Sequence, residues 1–302
     1  MKVGLVLPQF SGDAGKVLGL ARRAEGLGYD GVFAFDHFFP PGAPAERPSL
    51  EAFSTLASVA AATERIALGT LVARASLRPA GLLAKLAASL DDVSGGRLIL
   101  AIGTGDAISA QEHERFGLRS LDAGERRAHL AETVRAVRSL LRGEAWPGGE
   151  HVPPVQGPIL PAPIRSGGPP VWVGGYSDAV VRIAAAEADA WNGWGVPGPV
   201  FAEKARLLRT VAQEVGRDVD ATWAGLVVVG RDEDETVELM RERARRDLAE
   251  KEIWAGTTRS LVAWLNELRA GGAAWVVLLP GGPPDRVEII AESVLPHVRS
   301  GP

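Results

Sequence analysis

A (β/α)8 TIM barrel of the α/β class is the fold this sequence predicts, on three observations. Short apolar runs alternate with stretches of helical periodicity along 302 residues, the pattern of successive βα units on a parallel sheet. Eight such units in this length match the arithmetic of a closed barrel. The turn after the first run reads PQFSGDAG and lacks the GxGxxG fingerprint that an open doubly wound sheet usually carries there.

The elements follow in order. Residues 3–7 form the first strand, and Val17, Leu20, Ala21, Ala24 and Leu27 recur at helical spacing until Gly28. The second strand, 31–35, runs into Asp36-His37-Phe38-Phe39; a Pro-rich loop and a helix over 49–63 come next. The third strand, 66–72, ends in Ala73-Arg74-Ala75-Ser76, and the helix over 79–93 carries Pro in its first turn. The fourth, 98–102, is an unbroken apolar run, as expected of a strand buried on both faces. A long amphipathic helix over 120–141 precedes an insertion at about 143–170, dense in Pro and Gly, which reads equally as a lid or an inert loop. The fifth strand, 171–173, leads into Gly174-Gly175-Tyr176-Ser177-Asp178 and an Ala-rich helix to 187. Strands at 188–194, 225–229 and 274–279 complete the eight, with helices at 199–215, 232–253, 258–269 and 286–298. The helix over 232–253 has its acids first and its arginines later, the order that suits the helix dipole. Residues 1–302 read as one domain.

Composition narrows the function. Hydrophobic content of 46% and charged content of 23% are those of an ordinary globular enzyme. A net charge of −4 gives no polyanion footprint, so no nucleic-acid partner is expected. The chain has no cysteine, which excludes disulfides, Cys-ligated zinc, iron–sulfur clusters and a thiol nucleophile. No run approaches the roughly 20 apolar residues that span a membrane, and MKVGLVLPQF reads as a strand rather than a signal peptide. A cytoplasmic protein is expected.

In a barrel the strand-to-helix loops share one face, which holds the active site. That face would collect Asp36 and His37, Thr70 to Arg74, Thr104 to Asp106, Gly174 to Asp178, and Trp191-Asn192-Gly193-Trp194. The segment RLILAIGTGD, a buried strand ending in a Gly-rich turn with an acid at its tip, has the form of a ligand site. Each residue also has a plain structural use. His37 reads equally as a half-buried histidine, Asp106 as an N-cap, Gly174-Gly175 as a turn, the two tryptophans as core and Arg74 as solvated surface. A double Gly before a helix start also suits a phosphate, and Trp around Asn-Gly suits a flat aromatic ligand. Glu112-His113-Glu114 has adjacent rather than same-face spacing, so no metal site is expected, and a GxSxG elbow is missing. A histidine, a carboxylate and a glycine-lined corner around one pocket fit a cofactor that does the hard chemistry while the protein moves protons.

These strand ends, in this order, resemble the bacterial luciferase-like family of flavin and deazaflavin oxidoreductases. The likeness runs through KVGLVLPQF, AEGLGYDGVFAFDHF, the block from ERIALGTLVARAS to SGGRLILAIGTGD, and PPVWVGGYSDAVVRIAAAEADAWNGWG, and fades after about residue 201. FDHF followed by GTGD is similar to the branch that uses coenzyme F420, an 8-hydroxy-5-deazaflavin; FMN is the family's other choice. The resemblance implies that Asp36 contacts the deazaflavin ring, that His37 is its acid or base, and that Asp106, where members often have Glu, is a second proton donor. It implies a non-prolyl cis peptide at Leu71–Val72 behind the ring. It further implies cofactor contacts from Thr70, Leu71, Val72, Arg74, Thr104, Gly105, Ser109, Gly174, Gly175, Ser177 and Asp178. Arg74 stands where relatives often carry a small hydroxyl residue. The implied reaction is hydride transfer between F420 and a small organic substrate; the FMN branch implies monooxygenation with a separate reductase. The stretch 194–199 offers no basic residue for a sugar phosphate, while Phe38, Phe39, Trp191 and Trp194 suggest an apolar or aromatic substrate. A homodimer is expected from the same likeness.

Overall fold

The computed structural model describes residues 1–41, 46–105, 110–245 and 253–299. Its strands in chain order are β1 (Lys2–Val6), β2 (Gly31–Ala34), β3 (Ala67–Thr70), β4 (Ala73–Arg74), β5 (Leu98–Gly103), β6 (Val171–Gly174), β7 (Ala190–Trp194), β8 (Asp220–Gly230), β9 (Ile253–Thr257) and β10 (Ala273–Gly281). Every pairing between them is parallel. The order β10-β1-β2-β3-β5-β6-β7-β8 closes on itself because β10 also pairs with β8. That closure makes an eight-stranded barrel with helices between the strands.

The helices are α1 (Ala14–Gly26), α2 (Ala52–Ala62), α3 (Ala80–Val93), α4 (Ala110–Arg115), α5 (Ala123–Leu141), α6 (Asp178–Glu187), α7 (Gly198–Glu214), α8 (Glu233–Arg245), α9 (Thr258–Ala270), α10 (Arg286–Ser293) and α11 (Leu295–Arg299). Local chemistry sets several starts. Asp122 caps α5 in a capping box with Glu125, and Glu51 caps α2 through the amides of Phe53 and Ser54. No described helix is long and apolar enough to cross a membrane.

Two apolar cores follow from the pleat. Leu5, Val32, Leu68, Leu100 and Val173 point outward against the helices. Val6, Phe33, Ile99, Ala101, Trp172 and Trp275 fill the barrel. Phe33 stacks on Trp172 at 5.5 Å and meets Trp275 edge-on at 5.9 Å. Glycines on the neighbouring strands make room for it: an added Cβ would stand 2.9 Å from Phe33 at Gly4 and 2.6 Å from it at Gly69. The barrel interior is therefore filled by side chains at this level.

Several expected boundaries move. The third strand, expected as 66–72, breaks after Thr70 at a cis Leu71–Val72 peptide and resumes as β4 against β5. The seventh, expected as 225–229, is the eleven-residue β8, long enough to pair with β7 low down and β9 higher up. The helix expected over 232–253 is followed for its described part to Arg245, and Ile253–Thr257 is strand rather than helix. Its Trp254 stacks on Trp264 of α9 at 5.5 Å, so tertiary packing decides its state. Helix α4 was not anticipated. The 143–170 insertion connects the end of α5 to the start of β6, and its later part reaches the amino-terminal end of the barrel. There Arg165 binds Asp91 and the Leu98 carbonyl, and Lys85 reaches the Leu160 carbonyl. Higher up, Glu132 of α5 holds the amides of Glu150, His151 and Val152, and Val155 packs at Gly81 in the first turn of α3.

Candidate functional site

Period-two geometry carries β2 to the mouth. Phe33, Phe35 and His37 share the inward face, at rising heights. Phe35 meets Trp194 at 5.3 Å, although β2 and β7 stand on opposite sides of the closed order, so these rings span the barrel above the Phe33 layer. Phe10, just after β1, stacks on Phe35 at 5.5 Å and 8° between planes. His37 stands edge-on to Phe35 at 6.4 Å, and its side chain is 18% exposed. Trp194 thus faces the mouth. Trp191 is instead fully buried, donates to the Gly175 carbonyl and stacks on Phe201, so it is core rather than a ligand platform. Phe39 is buried likewise, and Phe38 packs on Phe116 at 4.3 Å.

Beside His37 lies a cluster of charged side chains drawn from three strand ends. Asp36 is 2% exposed; its Oδ2 accepts from the Arg74 amide at 3.0 Å and Arg78 Nη1 at 2.7 Å, and its Oδ1 from Arg78 Nη2 at 3.0 Å. Both oxygens are committed to the protein, which makes Asp36 an anchor for its own loop. Arg78 also holds Glu51 at 2.8 Å. Burial opposes the Arg78 charge, but Asp36 and then Glu51 overcome that and raise its pKa.

Arg74 is no surface residue. At 3% exposure it donates Nε to the Asp36 carbonyl at 2.9 Å, pairs with Glu112 Oε2 at 2.5 Å and lies over the Phe38 ring at 5.4 Å. Glu112, on α4, accepts at Oε1 from the Phe38 amide at 3.0 Å and stands 3.1 Å from His37 Nδ1. Burial by itself would raise the Glu112 pKa; the His37 hydrogen bond and the Arg74 charge outweigh it and hold the carboxyl below the ordinary range. His113, next on α4, lies 3.4 Å from Ser76 Oγ through Nε2, and burial followed by the Arg74 charge lowers its pKa.

On the far side of the mouth the wall is shaped by glycine. Val72 follows the cis bond and packs onto Gly103 of β5 and Gly174 of β6. A Cβ at Gly174 would stand 2.6 Å from Val72 Cγ1, and one at Gly103 would clash with Val72 Cγ2. Thr70 replaces the ladder lost at the break: its hydroxyl donates to the Ala101 carbonyl at 2.7 Å and accepts from the Ala101 amide at 3.0 Å. Leu71 is buried, and the Thr104 hydroxyl donates to the Gly105 carbonyl at 2.8 Å. Gly175 has φ +151°, with Val180 where a Cβ would be, and Ser177 caps α6. Asp178 pairs with Lys204, which also lies over the Tyr176 ring at 5.6 Å. Asp106 and Ser109 lie outside the described residues.

The fold thus brings His37, Arg74, Val72, Gly105 and the Gly174–Ser177 corner to one end of the barrel. Sequence reasoning missed Glu112, Arg78, Phe35 and Phe10. The alternation Phe33-Phe35-His37 was a usable signal for Phe35. Glu112 had been weighed only as a metal ligand, and no spacing links it to a histidine 75 positions earlier.

A family model described as luciferase-like monooxygenase matches residues 1–278. Among solved structures, an F420-dependent secondary alcohol dehydrogenase in complex with an F420–acetone adduct superposes with a TM-score of 0.85 at 18% identity, over 99% of each chain. The monooxygenase RslO1 from Streptomyces bottropensis does so at 0.79 and 23% identity, over 98% of this chain and 99% of its own. Riboflavin lyase RcaE, with modified FMN and riboflavin, reaches 0.77 at 18% identity, over 99% and 91%. Likeness at this identity is one of fold.

Proposed function

This chain belongs to the luciferase-like monooxygenase family, and from that premise we propose that it moves a hydride between coenzyme F420 and a small organic substrate at the carboxyl end of its barrel. The observation that carries the reading is His37: a partly exposed imidazole at the mouth, fixed through Nδ1 on a buried carboxylate. Reducing a carbonyl, or oxidising an alcohol, by hydride transfer requires a proton at the oxygen, and a held histidine is the group for that task.

The residues present fit a flat ring with a phosphorylated tail. Gly103 and Gly174 let Val72 sink into the wall, so the 71–72 bulge offers a ledge rather than a protrusion. The start of α6 after Ser177 would offer a phosphate backbone amides and a positive dipole end, with Lys204, itself paired to Asp178, beside it. A bound deazaflavin supplies hydride donor or acceptor chemistry at carbon. His37 would then give or take the proton on substrate, and Asp106 would serve as the second donor. Phe10, Phe35 and Trp194 would exclude water and seat an uncharged, apolar substrate. Asp36 enters as the anchor of the His37 loop.

The family's other cofactor choice gives a second reading, an FMN-dependent monooxygenase served by a separate reductase; the similar structures include a monooxygenase, RslO1, and a riboflavin lyase with modified FMN. Equilibrium binding of purified protein to F420 and FMN, side by side, separates the two. Tighter F420 binding, with turnover of alcohols or carbonyls, is expected; His37→Ala should abolish turnover and retain cofactor affinity, and Asp106→Asn should lower turnover. Preference for FMN would transfer the function to monooxygenation, and binding of neither would overturn both.

A further inference from the structure

We propose that Glu112 is the positioning residue that sets the His37 imidazole for proton transfer, with Arg74 setting Glu112 in turn; the inference rests on the role given to His37 above. Three consecutive residues after β2 are gripped by two buried residues, Arg74 and Glu112. Arg74 takes Asp36 at its carbonyl through Nε and at its carboxylate through the backbone amide. Glu112 takes the other two: the Phe38 amide donates to Oε1 at 3.0 Å, and the His37 ring meets the same oxygen at 3.1 Å. Arg74 and Glu112 are joined at 2.5 Å. Their side chains are 3% and 2% exposed, whereas the His37 ring is 18% exposed. The holders are dry and the held group opens to the mouth.

Chemistry then fixes the state of the ring. An ionised carboxylate only accepts hydrogen bonds, so Nδ1 must carry the hydrogen. The neutral ring therefore presents a bare Nε2, and Nε2 makes no hydrogen bond among the described residues. It can take a proton from an alcohol in one direction and, once protonated, return one to a carbonyl in the other. Against the burial that opposes it, the His37 hydrogen bond, the Arg74 guanidinium and the Phe38 amide together favour the ionised form of Glu112. The second nitrogen of a working histidine is often held in this way, by a carboxylate behind it.

A purely structural role for Glu112, stapling α4 to the barrel, predicts different results. Glutamine has nearly the same volume but cannot serve all three neighbours. With its oxygen toward His37 and Phe38, its NH2 meets Arg74; turned round, its NH2 meets the Phe38 N–H. The test uses cofactor-free protein labelled with 15N-histidine, its ring shifts read above the titration of the ring and His37 assigned by its loss in His37→Ala. Wild type is expected to show Nδ1 protonated and Nε2 bare. Glu112→Gln is expected to shift His37 toward the Nε2–H form that an unconstrained histidine prefers. In turnover, that variant should lose about 10- to 100-fold in kcat, with KM and F420 affinity within about twofold. An Nε2–H tautomer in wild type, ring shifts unchanged in Glu112→Gln, or a loss confined to KM would overturn the proposal. The wild-type spectrum needs only the His37→Ala assignment and no Glu112 variant, so it stands even if Glu112→Gln fails to fold. It is also independent of turnover: a protein without F420 activity but with the Nδ1–H tautomer would refute the function and leave the positioning intact.

Discussion

Gly174→Ala tests the wall of the mouth. The new Cβ would lie 2.6 Å from Val72 Cγ1, and 3.3 and 3.5 Å from Val72 Cγ2 and Cβ, all on one short β-branched side chain. Val72 has no long flexible end to swing aside, and the Gly103 side of its pocket is equally tight. The conflict has to be met by displacing the 71–72 bulge toward the mouth. Overpacking of this kind costs about 1–3 kcal/mol. With an unfolding entropy of about 2.1 cal/mol/K per residue, 302 residues make a melting entropy of about 0.6 kcal/mol/K. The midpoint should therefore fall by about 2–5 °C. Thermal unfolding followed by circular dichroism measures this, with Val72→Ala and the double variant completing a cycle. Removing the Val72 methyls should relieve the clash, so the double variant should be more stable than the sum of the single effects by about 1 kcal/mol. F420 affinity should fall in Gly174→Ala and recover in the double variant. A Gly174→Ala protein that melts with wild type, or effects that simply add, would refute the reasoning.

Three further outcomes are expected. Asp36→Asn leaves the half-buried Arg78 with Glu51 as its one carboxylate among the described residues, and should cost about 2–4 kcal/mol in urea unfolding; a change under about 0.5 kcal/mol would mean that the pair is not holding the loop. Glu235 is held at about 2 by the Arg286 side chain first and the Arg231 amide second. Its folded pKa is thus depressed, so its contribution is full above the unfolded value of about 4.3 and fades as pH falls toward the folded one. Arg286→Met should flatten the acid dependence of stability across that window, and an unchanged slope between pH 4.5 and 2 would count against the linkage. Phe35→Ala deletes both the Phe10 stack and the Trp194 contact; KM for apolar substrates should rise more than kcat falls, and an unchanged KM would take those rings out of the substrate site.

The sequence by itself determined the barrel and the strand ends that face its mouth. Hydrophobic period and turn chemistry are local properties, and they located all eight barrel strands, the His37 loop and the Gly174-Gly175 turn. Where expectation and structure part, a distant contact is the reason. Residues 253–257 are strand because β8 offers them an edge and Trp264 a stacking partner. Trp191 and Trp194 sit three apart with opposite fates, because the pleat sends one to the helices and the other into the barrel. Arg74 read as surface because nothing nearby in the chain announces Glu112. The dry ion pair between them, and the hold of Glu112 on His37, exist only once β2, β4 and α4 have been brought to one end of the barrel. The buried Arg74–Glu112 pair spans 38 positions and the Glu112–His37 hydrogen bond 75, and both are set by three-dimensional distance, which no local pattern encodes.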